Sequence, residues 1–218
     1  MFMSAQVESE NAHEPLPLPT IRRYPDYLRA VRALIAQGET RVSSVVLAEK
    51  LGLDPVLTRK DLAMSGVTGR PRVGYSATEL ADALARTLGW DNATDAVLVG
   101  AGSLGRALLG YGGFREHNIS LVAAFDIAPE VVSTEMHGVR ILPLESLPVV
   151  VHRLKVKLGI LTVPAAAAQG CADKLVEAGI RGIWNFTAVK LAVPEGLQVV
   201  DVDLAQSLAV LSHLVARA

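Results

Sequence analysis

A single cysteine, Cys171, stands in a chain of 218 residues. That excludes an internal disulfide framework and a cysteine-based zinc cluster. No apolar run approaches the roughly 18 residues that cross a bilayer. The N-terminus has none of the basic, then apolar, then small-residue order of a secretory signal. Internal repeats and low-complexity tracts are missing too. What is present suits a cytoplasmic globular protein: half the residues are apolar and a fifth are charged. The length allows one large or two small domains.

The formal net charge of −1 conceals an asymmetry. Between Arg22 and Tyr75, ten Lys and Arg stand against five Asp and Glu, a local +5; the stretches before and after each sum to −3. A basic segment in an otherwise acidic chain suits a polyanionic partner, although a solvated basic face has the same composition. Met1 to Thr20, acidic and carrying PLPLPT, reads as a disordered tail. From Tyr24 to Gln37, Leu28, Val31, Leu34 and Ile35 recur at helical spacing, and Gly38 supplies a stop. Ser43 or Ser44 caps a second helix reaching Leu51, with Val46, Leu47 and Leu51 on one face. Asp54 caps a third, with Pro55 at its first position, running to about Ser65. GVTGRPRVGY, Gly66 to Tyr75, then has the composition of a basic hairpin, and Ser76 or Thr78 opens a helix through Leu88.

Three helices and a basic hairpin are the layout of a winged helix, which inserts its third helix into the major groove and lays the wing on the flanking backbone. On that helix Thr58, Arg59 and Lys60 are expected to face outward, and Val56, Leu57 and Leu62 inward. Arginine can read guanine edges, whereas lysine and wing arginines more often grip phosphates. The competing arrangement is a small helical cap with a solvated charged face.

After a polar linker from Gly89 to Thr94, strands and helices alternate. Strands are expected at Asp95 to Val99, Ser120 to Asp126, Val139 to Leu142, Leu158 to Val163, Gly182 to Phe186 and Leu197 to Val202. Helices fall at Leu104 to Tyr111, Leu144 to His152 and Ala165 to Ala178. Apolar strands interleaved with helices mean a parallel sheet covered on both faces.

Directly after the first of these strands, Gly100, Gly102 and Gly105 form G-x-G-x-x-G at the start of a helix. The first glycine permits the tight turn, the second the close approach of a pyrophosphate, and the third the packing of helix on strand. The loop Gly100, Ala101, Gly102, Ser103, Leu104 and Gly105 is therefore a candidate dinucleotide cradle. The next strand ends in Asp126, 21 residues beyond Gly105. A carboxylate there accepts from ribose hydroxyls and repels a 2′-phosphate, favouring NAD(H) over NADP(H). Thr162, Val163 and Pro164 follow one later strand, and Asn185, Phe186 and Thr187 another; these could frame the nicotinamide half or be simple strand-to-loop transitions. A dehydrogenase would also need a proton-transfer group there. His13, His117, His137, His152 and His213 all lie away from the carboxyl ends of strands. Neither is there a second domain large enough to enclose a substrate, so the cofactor reads as a ligand rather than a reagent, and the chain as no enzyme. Cys171, within a helical pattern, reads as a small buried apolar group. The last helix, from Leu204 to about Arg217, carries Leu208, Val210, Leu211, Leu214 and Val215 with hardly any charge. Apolar around most of its circumference, it needs burial on more than one side, which points to a second subunit.

With these residues in place, the chain resembles the Rex family of bacterial redox-sensing transcriptional repressors over nearly all of Ile21 to Leu214. The resemblance rests on VSSVVLAEKLG, TRKDL, RVGY, VLVGAGSLGRAL, AAFDIAPE, ILTVPAAAAQ, LVEAGIRGIWNF and VDVDLAQSL, in that order. It implies a homodimer with a swapped C-terminal helix that senses the NADH/NAD+ ratio, NADH releasing it from operator DNA and NAD+ permitting binding. Gly100 to Gly105 and Asp126 would hold the adenosine diphosphate half, with Thr162 to Pro164 and Asn185 to Phe186 towards the nicotinamide. Arg23, Tyr111 and Asp203 match a network joining the DNA domain to the cofactor and the other subunit. The DNA face would comprise Ser43, Ser44, Thr58, Arg59, Lys60, Arg70, Arg72 and Tyr75; no metal is expected. Two departures fall on that face: Ala63, Met64, Ser65 and Gly66 stand where relatives have Ser-Tyr-Phe-Gly, and Arg72, after Pro71, replaces a wing glycine. The expected fold is α/β: a tail at 1–20, a winged helix at 21–90, a Rossmann domain at 94–203 and a dimerisation helix at 204–218.

Overall fold

Helix α1 (Leu18–Ala36) begins well upstream of Tyr24, where the apolar spacing sets in, and it carries Pro25 inside it. A tertiary contact outweighs the proline signals. Thr20 is buried, and its hydroxyl donates to the Asp61 carboxylate at 3.0 Å. The expected tail is thus helical from Leu18. The computed structural model describes residues 16–217, so the rest of that tail lies outside the described residues. The chain divides between Asp91 and Asn92 into two units.

In the first unit, α1 is followed by β1 (Arg41–Val42), α2 (Ser44–Leu51), α3 (Pro55–Ala63), β2 (Tyr75–Ser76) and α4 (Ala77–Thr87). Each of the three later helices starts on the side chain its sequence offers. Ser43 Oγ accepts from Val46 N–H at 3.1 Å, Asp54 Oδ1 from Leu57 N–H at 2.8 Å, and Ser76 Oγ from Glu79 N–H at 3.4 Å. Gly52 ends α2 in the left-handed conformation, as a helix-terminating glycine does. Tyr24, Tyr27, Leu28, Leu47, Leu62, Leu80 and Leu84 fill the core. The expected basic hairpin is smaller than its composition suggests: β1 pairs antiparallel with β2, and the residues before β2 form a turn closed by one bridge, Arg70 to Gly74.

The second unit is a seven-stranded sheet in the order β5-β6-β4-β3-β7-β8-β9. Its strands are β3 (Thr94–Val99), β4 (Ile119–Asp126), β5 (Glu135–Met136), β6 (Val139–Pro143), β7 (Leu158–Leu161), β8 (Gly182–Asn185) and β9 (Gln198–Asp201). All pair parallel except β5, which forms a hairpin with β6. Helices α5 (Ser103–Leu109) and α6 (Gly113–Glu116) follow β3; α7 (Leu147–Leu154) precedes β7, α8 (Ala165–Glu177) follows it, and α9 (Leu204–Val215) ends the chain. Strand periodicity sorts the core: Val97 and Val99 join Phe125, Leu147, Leu161 and Leu175 on one face, while Leu98 joins Ala124, Ile141, Leu109 and Phe114 on the other. The chain leaves β3 towards β4 and returns on its other side with β7, and such a reversal opens a crevice at the strands' carboxyl ends.

Candidate dinucleotide site and DNA face

Two of the three loop glycines have no room for a side chain. A Cβ on Gly100, whose φ is +101°, would lie 2.7 Å from the Thr162 carbonyl oxygen; one on Gly105 would lie 2.0 Å from the Gly100 carbonyl oxygen. At Gly102 nothing stands within 4 Å, so that side of the loop is free for a ligand's approach. No side chain caps α5. Thr162 Oγ1 lies 2.7 Å from the Gly100 carbonyl and 3.1 Å from that of Val99, pinning the loop to the end of β7. Asp126 is held by backbone alone: Oδ2 accepts from Ala101 N–H at 2.6 Å, and Oδ1 from Ile127 and Ala128 N–H at 2.7 and 2.9 Å. With no ion-pair partner among the described residues, Asp126 lines a largely apolar cavity of about 220 Å³.

That cavity is lined by Gly100, Gly102, Asp126, Thr162, Val163 and Pro164, and also by Ile127, Leu144, Ala167 and Cys171. Of these last four, Ile127, Leu144 and Ala167 were not singled out from the sequence, and Cys171 was read there only as a small buried apolar group. Ile127, directly after the strand-end acid and largely exposed, carried the clearest signal. The Cys171 thiol is pushed up by burial, which fits packing rather than reactivity. Arg106, also missed, folds back so that its Nε donates to the Ala101 carbonyl at 2.9 Å. Ser103 and Leu104 open α5.

Asn185 corrects the sequence expectation. It is fully buried, its Nδ2 donates to the Val189 carbonyl and the Asp201 carboxylate, and its Oδ1 accepts from Thr187 N–H and Oγ1. With its amide spent, it shapes the turn after β8 instead of meeting a ligand. Phe186 lines a separate cavity of about 440 Å³ with Lys190, Asp201 and Asp203.

In the first unit, Arg59 and Lys60 are exposed on α3. Arg59, Arg70 and Arg72 share a groove of about 520 Å³ with Ser43 and Ser44, and no acid lines it. Of the expected members of this face, Thr58 turns inward, whereas Tyr75 lines the groove while nearly covered. Thr58 is 0% exposed and stands 3.5 Å from the Tyr27 hydroxyl; Tyr75 is 7% exposed, its ring beneath Gly69. Conversely Val56 and Leu57, expected inside, are exposed. The inward stripe of α3 is Thr58, Asp61 and Leu62, spaced as one helical face. Polar contacts organise it beside Leu62, so ranking residues by hydrophobicity placed Leu62 correctly but Val56, Leu57 and Thr58 on the wrong sides.

Asp61 is the residue the sequence reading overlooked. Its carboxylate accepts from Thr20 Oγ1 at 3.0 Å, Tyr27 hydroxyl at 2.8 Å, Arg23 Nε at 2.6 Å and Arg23 Nη2 at 2.9 Å, and its carbonyl accepts from the Tyr24 hydroxyl at 3.0 Å. Burial alone would raise its pKa, but the bonds from Arg23, Tyr27 and Thr20 outweigh that and hold it below the usual value. The same carboxylate raises Arg23, and burial, aided by Asp61, pushes Tyr24 up to about 12. In this structure the Arg23 guanidinium braces α3 against α1 within its own unit. Tyr111 is exposed and meets Phe114 edge-on at 5.0 Å, and Asp203 caps α9 through the N–H groups of Ala205 and Gln206.

A doubly wound sheet with a glycine cradle and an acid ending the adjacent strand, in one chain with three helices and a basic turn, defines a Rossmann domain preceded by a winged-helix domain. Comparison with known proteins agrees. The family model for a CoA binding domain matches residues 91–189, and that for a putative DNA-binding protein N-terminus matches residues 15–63. The redox-sensing transcriptional repressor Rex of Treponema denticola is 40% identical over 193 residues, 88% of this chain and 92% of that protein. Rex of Porphyromonas gingivalis is 40% identical over 204 residues, 94% of each. Among solved structures, RSP in complex with β-NAD+ and operator DNA aligns with a TM-score of 0.88 at 34% identity over 93% of both chains. RSP with β-NADH aligns at 0.83 and 33%, over 94% of this chain and 96% of that one. The chain belongs to the Rex family of redox-sensing transcriptional repressors.

Proposed function

We infer that the protein is a transcriptional repressor, not an enzyme, that binds operator DNA and reads the cellular NADH/NAD+ ratio. The observation that carries this reading is the joint presence of the Gly100–Gly105 cradle with Asp126 and an arginine-lined groove on a winged helix. Support comes from relatives named for redox sensing and from a solved relative holding NAD+ and operator DNA. The cradle and Asp126 hold the adenosine diphosphate half of NAD(H). Val163, Pro164 and Phe186 lie towards the nicotinamide, with Thr162 fixing the loop. Arg59 and Lys60 on α3 enter the major groove, and Arg70 and Arg72 grip the flanking backbone. NADH is the releasing signal and NAD+ the permissive one. Arg23, Tyr111 and Asp203 belong to the coupling between cofactor and DNA.

The functional unit is a homodimer acting on DNA in the cytoplasm, with α9 swapped onto the partner. Helix α9 exposes Leu204, Leu208, Val210, Leu211, Leu214 and Val215. An apolar groove lined by Phe114, Ile119, Leu158, Trp184 and Val200 offers a surface of the same character. No helix among the described residues is long and apolar enough to cross a membrane, and among them no cluster of His, Cys, Asp or Glu could hold a metal.

The test is a titration of a retained genomic duplex at fixed salt with NAD+ and with NADH. A working switch weakens binding about 5–150-fold in NADH, a coupling of about 1–3 kcal/mol. Equal affinities in both cofactors would overturn the redox-sensing reading.

A further inference from the structure

The wing turn contains a residue that its own backbone disfavours. Val73 N–H donates to the Arg70 carbonyl at 3.1 Å, and Arg70 and Gly74 exchange two bonds of 2.9 Å. Pro71 is therefore second in a β-turn and Arg72 third. Arg72 has a φ of +61°. Proline second and a positive φ third is the pattern of a type II turn, whose third position favours glycine or asparagine. A long side chain there is a conformational outlier that the surroundings must sustain.

Among the described residues of the first unit, no ion pair repays that strain. Arg72 is exposed, and the ion pairs among the described residues are Arg23–Asp61 and Arg29–Asp26. What the position does achieve is placement. Arg72, in the turn, lines the same groove as Arg70, Arg59, Ser43 and Ser44, with no carboxylate on its lining. Three arginines converging without counter-charge make a surface for a polyanion. Of the three, Arg59 projects from a helix able to enter a groove, whereas Arg70 and Arg72 bracket Pro71 at the end of a narrow turn.

We propose that Arg72 is a phosphate-gripping residue retained against backbone strain, adding sequence-independent affinity for the DNA flanking the site while costing the N-terminal unit stability. The proposal rests on the repressor reading. It separates two jobs on the DNA face: Arg59 and Lys60 discriminate sequence, and Arg72 supplies salt-sensitive grip.

The experiment compares the full-length wild-type chain with R72G, R72K and R59A. Affinity is measured between about 50 and 200 mM salt for a genomic duplex retained by the wild type and for an unrelated duplex. R72G is expected to bind both duplexes about 3–10-fold more weakly, with the slope of log affinity against log salt reduced by about 1. Its thermal midpoint is expected to rise by a few degrees. R72K should keep the slope and the lower midpoint; R59A should lose chiefly the preference for the retained duplex. Unchanged salt slope in R72G overturns the proposal, as does a loss confined to the retained duplex, which would mean base reading. A lower midpoint in R72G would make Arg72 a structural residue and overturn it too. If the wild type retains no duplex yet still binds NADH, the repressor reading falls and takes the proposal with it; retention by the wild type with R72G unaffected removes the proposal alone.

Discussion

Asp61 in the first unit and Asp126 in the second are both held by short hydrogen bonds, but from different kinds of partner. Asp61 is 2% exposed and saturated by a guanidinium and two hydroxyls from α1. Asp126 is half-buried and accepts from three backbone N–H groups beside an open cavity. The first carboxylate is consumed by its neighbours and acts as a bolt. The second is oriented without being neutralised, which leaves it free to receive further donors. A buried charge with a cation beside it is therefore a statement about the fold, and one steered only by amides is a statement about a ligand.

Substitutions can break that comparison. D61A should have the largest effect, because it strands the part-buried Arg23 guanidinium and two hydroxyls. A loss of about 3–5 kcal/mol from the N-terminal unit is expected, seen as a separate early calorimetric transition and loss of DNA retention, with NADH affinity unchanged. G105A comes next. Its Cβ would meet the Gly100 carbonyl oxygen at 2.0 Å, so α5 or the loop must move at about 1–3 kcal/mol. Isothermal titration should show NADH affinity lost while DNA binding persists, now deaf to NADH.

D126A is expected to weaken NADH by about 1.5–3 kcal/mol, roughly 10–150-fold, with little change in the melting of either unit. If it instead melts the second unit as D61A melts the first, the contrast between bolt and ligand group is wrong. The smallest effect is in pH. The folded-state pKa of Asp61 is lowered, so its contribution is complete above the unfolded value, about 3.9, and is lost as pH falls below it. Melting of the N-terminal unit should decline more steeply below about pH 4 in the wild type than in D61N.

Much of the second unit was legible in the sequence because its signals are covalent spacings. The interval from Gly100 to Gly105, the strand-end Asp126 and the apolar strands all follow from where a backbone can turn and what a sheet must bury. Strand β5 escaped notice, being two residues long and joined to β6 through His137 and Gly138, both at positive φ, a hairpin turn without the usual Asn-Gly signal. The first unit was legible at its caps, Ser43, Asp54 and Ser76, and less so between them. Thr58 was expected to face outward, yet tertiary contacts bury it; Tyr75, placed on the DNA face by resemblance, lines the groove while nearly covered. Arg23 was matched by resemblance to a network joining the DNA domain to the cofactor and the other subunit, whereas its partner Asp61, 38 positions away, could be recognised only once α1 and α3 were seen side by side. Asn185 likewise looked like a ligand until its bonds were counted.

The solitary Cys171 gives the protein an internal clock. Its sulfur lies in the wall of the cavity beside Asp126 and Thr162, and burial both hides it and keeps it protonated. An alkylating reagent has to enter that cavity to reach it, so slow labelling is expected, and its half-time reports how readily the cavity admits the reagent. Every modified molecule carries its mark at the same place, with no second thiol to confuse the reading.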